Sequence, residues 1–371
     1  PAGRRLSADS TTTPPPYGAY VDWLEQRDPA ASDAFWRDHL AGISSPTPLL
    51  ATPTGDVATN EGITGTPGDI AIVLDEATTT RVTEGARRLR VTLSTLVQGA
   101  WALLLSHAAN RDDIIFGASL SGRPDDLAGV ERMIGSCVTN VPVRVRTDPT
   151  MTVADWLPCL QRQHAALQEH QFTPPDRIQA LSELPGHHRL FESLVVVQNY
   201  RGEGEGVFQL GADAELRAID VPEATNYTAT LIARPGRQLT LRLLHAGERM
   251  EPAAAAQLLS VASRLIVSLA ASTGTETIAS LADMLPADMQ GRAAIPARSA
   301  VVPRKDPASE PTIGAGTATE ARRAAIWAAC RGQGDIGIDD NIFDAGGKYL
   351  LRKQVHRALR DDFATPVPLI A

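Results

Sequence analysis

Between residues 69 and 271 the apolar positions switch repeatedly between a period near 3.6 and a period of 2, and that switching sets the expected fold. Leu93, Leu96, Val97, Ala100, Trp101, Leu104 and Leu105 recur at i, i+3, i+4 spacing, which predicts a buried helix over residues 91–109. Residues 76–90 have helical composition, and residues 252–271 form an Ala/Leu-rich amphipathic helix. Thr152 with Asp155 makes a capping-box pattern that opens a helix running toward Gln171, with Pro158 expected to bend it. Strands are expected at residues 69–74, from Ile114 to Gly117, at 141–145 and at 194–198. Residues 228–233 and 238–245 read as two strands joined by Arg234-Pro235-Gly236-Arg237, a hairpin signal. Helices alternating with strands predict an α/β (α+β) class, with a mixed sheet backed by helices.

The flanks behave differently. Residues 1–16 are polar, end in Pro14-Pro15-Pro16 and read as a linker. Residues 17–40 are helical in pattern, with Tyr20, Trp23, Leu24, Phe35, Trp36 and Leu40 as apolar members. Residues 43–68, rich in Pro, Gly and Thr, read as a loop crossing between larger elements. From Pro286 to Pro311 periodicity disappears among five prolines, as in an interdomain linker. Two short helices are then expected at residues 318–330 and 350–363.

Composition narrows the function classes. The chain has 371 residues and a net charge of −8, with no Lys/Arg-rich run, so it lacks the clustered cations a nucleic-acid surface needs. The unbroken apolar runs, near Trp101 and Leu265, fall far short of the roughly 18 residues of a membrane span. Cys137, Cys159 and Cys330 have no short spacing, which points to buried free thiols in a reducing cytoplasm. A chain opening on Pro1 leads us to expect a segment of a longer polypeptide.

Seven strings occur in one order: YGAYVDWL (17–24), FWRDHLAG (35–42), RDDIIFGASLSGRP (111–124), IGSCVTNVPVRVR (134–146), EHQFTPPDRIQ (169–179), LFESLVVVQNY (190–200) and TNYTATL (225–231). Together they resemble the condensation domains of nonribosomal peptide synthetases, and the last two resemble the subgroup joining L-configured donor and acceptor. The resemblance implies that residues 17–68 are a remnant of the N-terminal lobe with its crossover. It implies that residues 69–287 are the C-terminal lobe, resembling chloramphenicol acetyltransferase, with residues 17–42 packing away from it. The family's His-His-x-x-x-Asp-Gly string is absent, so no catalytic residue is assigned to this chain. An N-terminal lobe bearing it is expected upstream or on another polypeptide.

After a linker at 288–316, residues 317–371 resemble a truncated peptidyl carrier domain. The matching strings are ARRAAIWAAC (321–330), IGIDDNIFDAGG (336–347) and LLRKQVHRALRDDF (350–363). That family carries 4′-phosphopantetheine on a serine after Gly-Gly-x, at a helix N-terminus suited to a phosphodiester. Here Gly346-Gly347-Lys348 is followed by Tyr349, so no arm is expected on this chain. The implied partners are carrier domains bearing that arm and other synthetase modules. The alternative is a catalytically inactive scaffold that recruits such partners.

Three constellations mimic chemistry without supplying it. His187-His188 followed by Glu192 and Ser193 imitates the missing string, yet runs straight into a strand. Cys137 with His164 or His170 could be drawn as a nucleophile pair, but Cys137 sits at a core position of its block. Asp112-Asp113 and Asp339-Asp340 read as solvated or capping carboxylates, and no metal site is expected. Ser119, Asn140 and Gln198 are the binding candidates. They lie in or beside strands that, by resemblance, line the channel between the lobes.

Overall fold

The computed structural model describes residues 13–49, 67–184, 189–198, 208–209, 215–216, 226–247, 249–282 and 285, with 322 and 325–326. The chain divides into two units, Pro1–Ser299 and Ala300–Ala371. In the second unit Arg322, Ala325 and Ile326 are helical. Tyr349, Cys330, Asp339-Asp340, His187-His188 and the 288–316 linker lie outside the described residues.

The first unit is built on a six-stranded mixed sheet. Its strands are β1 (Pro67–Val73), β2 (Asp113–Leu120), β3 (Thr139–Arg146), β4 (Ser193–Val197), β7 (Ala229–Arg234) and β8 (Thr240–Ala246), in the order β1-β8-β7-β4-β2-β3. Two short strands, β5 (Phe208–Gln209) and β6 (Glu215–Leu216), pair with each other. The expected hairpin is β7–β8, antiparallel through Arg234↔Thr240. β4 runs parallel to both β2 and β7, while β3 is antiparallel to β2.

Helices α3 (Glu76–Arg88), α4 (Leu93–Ala109), α5 (Val153–Glu169) and α7 (Pro252–Ala271) pack on the sheet and on one another. Short helices α6 (Pro175–Ala180) and α8 (Ile278–Ala282) complete the lobe. The period-3.6 stripe of α4 is buried almost all round, from Leu96 to Leu105. Each such large side chain contributes roughly 1.5–3 kcal/mol. Thr92 caps α4 by accepting from Thr95 N at 3.1 Å, and Asn110 ends it in the left-handed region at φ 50°. Thr152 likewise caps α5, accepting from Asp155 N at 3.2 Å; the helix continues through Pro158 to Glu169. Gly85 lets α3 meet α7, because a Cβ there would strike the Ala270 carbonyl. Arg88 pins the same place, donating to Ala270 O at 2.6 Å and Ser272 O at 2.8 Å. Taken whole, α7 is long and apolar enough to cross a membrane by length and composition, which its short unbroken runs conceal. Its Leu258, Leu259, Leu265, Ile266 and Leu269 are instead buried in the lobe's core.

The expectation that residues 17–42 pack away from the lobe is corrected. They form α1 (Tyr17–Glu25) and α2 (Ala30–Leu40), and Trp36 and Leu40 are fully buried in the same core as α4 and the sheet. Polar contacts lock α2 in place. Arg177 of α6 grips Asp33 with Nε and Nη2 at 2.6 and 2.5 Å, and Ser32 Oγ lies 3.0 Å from His170 Nδ1. Beyond α2, Thr47 Oγ1 accepts from Ile115 N at 2.7 Å, alongside β2. Helix α1 packs with Val130, Met133 and Cys137 in a smaller cluster, and Tyr17 OH donates to Ser136 O at 2.6 Å. The physical reason is area: large apolar side chains at residues 17–40 are buried by the lobe they precede.

Strand β3 is at one end of the sheet, and side chains occupy its outer backbone groups. Arg144 N donates to His39 Nε2 at 3.4 Å, Gln163 Nε2 donates to Arg144 O, and Trp156 Nε1 donates to Arg146 O at 3.2 Å. Pro142 brings no N–H to this strand. Burial, with Arg144 beside it, pulls the His39 imidazole down to about 4 and keeps it neutral.

Candidate functional site

Side-chain parity along the strands decides which residues can share a site. Ser193 Oγ accepts from Trp101 Nε1 of α4 at 3.0 Å, so Ser193, Val195 and Val197 face the helices. Leu194, Val196 and Gln198 therefore face the other way. Extending the Ala118↔Val195 pairing puts Ser119 level with Val196 on that opposite face. Ser119 is paired directly across from Asn140 in the β2–β3 ladder. Ser119 and Asn140 are thus side by side. Gln198 shares their face but lies a strand away and about 7 Å further along it. Its Oε1 accepts from Arg234 Nε at 2.5 Å and its N–H donates to Ala233 O at 2.9 Å.

Two aromatic residues complete the Ser119–Asn140 pair. Gly117 of β2 has no side chain, and a Cβ there would enter the space of the Phe191 ring. Phe191 stacks on Tyr227 with centroids 5.3 Å apart and planes at 22°. Asn140 Nδ2 donates to Tyr227 OH at 3.5 Å, while Asn140 Oδ1 is buried without a hydrogen-bond partner among the described residues. Burial pushes the Tyr227 phenol up, so it stays protonated around neutrality. Arg189, donating to Asn226 O, and the buried Glu192 border this cluster. Burial pushes Arg189 down and Glu192 up, and Glu192 Oε2 accepts from Leu49 N at 3.3 Å.

The sequence marked Ser119 and Asn140, and quoted the string containing Tyr227 without choosing it. Phe191 and Gly117 were missed as well. A glycine inside an otherwise apolar strand is the local signal of close approach that pointed to this stack.

The mimics resolve separately. Cys137 is buried in the α1 cluster, and burial raises its thiol, whereas Cys159 on α5 is exposed and corrects the expectation that it is buried. His164 Nδ1 lies 3.2 Å from Gln98 Nε2, and His170 is held by Ser32 and stacked on Phe35, so neither serves Cys137. Asp113 binds Arg144 through both oxygens at 2.8 and 2.6 Å. Among the described residues no cluster of three or more His, Cys, Asp or Glu could hold a metal. Next to Ser119 stand the Asn140 amide and the Tyr227 hydroxyl, with Arg189 and Glu192 at the border. Such a surface orients a partner by hydrogen bonds.

The model of the family described as "Condensation domain" matches residues 3–290. The chain belongs to the condensation-domain family, and its lobe has the chloramphenicol-acetyltransferase-like form of that fold. It is similar to a linear gramicidin synthase polypeptide of Brevibacillus parabrevis, 36% identical over 257 residues covering 69% of this chain and 3% of that protein. It is also similar to chondramide synthase cmdD of Chondromyces crocatus, 36% identical over 248 residues covering 66% of this chain and 6% of that protein. The chain therefore spans a small part of these relatives. Among solved structures, a holo four-domain nonribosomal peptide synthetase bound to AMP and glycine superposes with TM-score 0.58 at 15% identity, over 68% of this chain and 20% of that one. The X-domain from teicoplanin biosynthesis superposes with TM-score 0.56 at 22% identity, over 70% and 58%. These share the fold.

Proposed function

We propose that this lobe forms one wall of a cytoplasmic peptide-bond-forming site, in which an amine acceptor attacks a donor thioester, both tethered to carrier domains. The observation that carries this reading is the Ser119–Asn140 pair with Tyr227, a neutral hydrogen-bonding cluster on the face turned from the helices. Ser119, Asn140 and Tyr227 would hold the amides of a 4′-phosphopantetheine arm borne by a partner carrier, and Gln198 would extend that row. The buried Asn140 Oδ1, without a hydrogen-bond partner among the described residues, is an acceptor that an amide N–H of the arm would satisfy. The arm supplies an activated thioester when present; these residues supply alignment, a large part of the barrier for tethered reactants. The proton is left to a histidine of a His-His-x-x-x-Asp-Gly lobe, which this sequence does not contain.

The test combines this chain with a separately produced lobe carrying that motif, an L-aminoacyl donor carrier and an L-aminoacyl acceptor carrier. Dipeptidyl thioester should form, and Asn140→Leu should lower its rate about tenfold, the loss expected for one hydrogen bond to a buried group. Failure of the native pair to form product overturns the reading. Capture of intact synthetase modules without product would instead favour the scaffold alternative, which the tyrosine at position 349 motivates.

For residues 317–371, we infer a carrier-like segment that cannot be charged. A phosphopantetheinyl transferase with coenzyme A should leave the chain without the mass gain of about 340 Da that the arm would add. Position is limiting, because the Tyr349 phenol would occupy the phosphate's own space. Loading of Tyr349→Ser would show that only the nucleophile was lost.

A further inference from the structure

Gly117 stands in the middle of β2, where a glycine weakens a strand because it has no side chain to pack. Its φ lies outside the left-handed region, unlike that of Gly122 at 60°, so the backbone does not require a glycine there. The surroundings do. A Cβ at residue 117 would fall on the Cε2 and Cδ2 edge of the Phe191 ring, so that ring fills the place a side chain would take.

Seating the ring at Gly117 also fixes its neighbour, Tyr227. Thr228 N donates to Glu192 O at 2.9 Å and Ser193 pairs with Ala229, so the segments carrying Phe191 and Tyr227 run side by side into β4 and β7. Phe191 stacks on Tyr227 with planes 22° apart, and Arg189 holds the carbonyl of the preceding residue, Asn226. The Tyr227 hydroxyl is thereby brought to Asn140 Nδ2 at 3.5 Å. An asparagine amide has a donor end and an acceptor end. With the donor end on Tyr227, the buried Oδ1, which has no partner among the described residues, is the end left for a ligand.

We propose that Gly117 and Phe191 are positioning residues: the ring seated at Gly117 holds Tyr227 against Asn140, and Tyr227 turns the Asn140 amide so that its acceptor oxygen selects an N–H donor. The inference rests on the reading of this cluster as a surface for a carrier's arm. Neither residue is catalytic, because each acts through Tyr227 and Asn140.

The experiment follows the Asn140 side-chain NH₂ resonances of ¹⁵N-labelled protein, identified by their loss in Asn140→Leu. Tyr227→Phe should shift them, and Phe191→Leu and Gly117→Ala should shift them the same way. Both of the latter act through one ring, so Gly117→Ala should add nothing in the Phe191→Leu background. That background also carries the test if Gly117→Ala alone does not fold. Selectivity is read by titrating pantetheine and its two analogues in which one amide is replaced by an ester. At least one ester should bind the native chain about fivefold more weakly than pantetheine. Phe191→Leu and Tyr227→Phe should bring the two affinities together, which a role in stability alone would not do. Asn140 resonances unmoved in Phe191→Leu, or a preference for the amide that survives there, overturn the positioning. A native chain that binds no pantetheine overturns the arm reading and with it the selectivity, while the resonances still decide the positioning.

Discussion

The two faces of the β2–β3 ribbon are made by the same sixteen residues and have opposite characters. Toward the helices point Ile114, Phe116, Ala118, Val141, Val143 and Val145, all essentially inaccessible. Away from them point the polar Asp113, Ser119, Asn140, Arg144 and Arg146, of which Arg144 is held by Asp113 and by the carbonyls of His39 and Ala41. One face holds the lobe together, and the other, apart from the buried Ile115 and Gly117, carries the ribbon's polar side chains. The difference teaches that residue substitutions on neighbouring positions should separate stability from binding, since successive side chains on a strand leave by opposite faces.

The sharpest test is Phe116→Ala, expected to cost about 3–5 kcal/mol of unfolding free energy in a denaturant titration, as a lost ring leaves a cavity. A loss below about 1 kcal/mol would show that the helix-side face is not the core described above. Next comes acid. The folded His39 is held near 4 against an ordinary 6.5, so its neutral form stabilises fully above 6.5. That contribution, on the order of 3 kcal/mol, should fall away as pH drops from 6.5 toward 4. His39→Gln, which keeps a neutral donor and acceptor, should flatten this acid limb in stability measured against pH. The comparison sharpens further at Asn140→Leu, where stability should change by no more than about 1 kcal/mol while product formation falls. The smallest effect belongs to Ser119→Ala, within about 0.5 kcal/mol in stability. A large destabilisation there would erase the contrast between the faces.

Much of this was legible in the residues themselves. The stripe from Leu93 to Leu105 found α4, the Pro235-Gly236 turn found the β7–β8 hairpin, and Thr152 found the start of α5. Local periodicity carries no information on which strands lie side by side, so the parallel insertion of β4 between β2 and β7 was not readable. The same limit hid the docking of α2, whose Asp33 depends on Arg177, 144 residues later. At the site, Ser119 and Asn140 stood out as polar residues in apolar strands. Tyr227 did not, because its contact with Asn140 spans 87 residues and its ring is packed by Phe191.

The side chains gathered on the outer backbone of β3 also bear on how copies of this protein behave toward each other. An unpaired strand at the end of a sheet is a template for another chain's strand, and thus a route to aggregation. Here His39 takes up the Arg144 N–H, while Gln163 and Trp156 donate to the next two outward carbonyls that such a pairing would use. Proline at 142 deletes a donor from the same strand. Helix α2, through His39, and α5, through Gln163 and Trp156, therefore cover this edge as well as filling the core. Loosening α2, by charging His39 in acid or by breaking the Asp33–Arg177 grip, would bare a sticky edge before the lobe itself unfolds, and turbidity should rise ahead of the loss of helix signal.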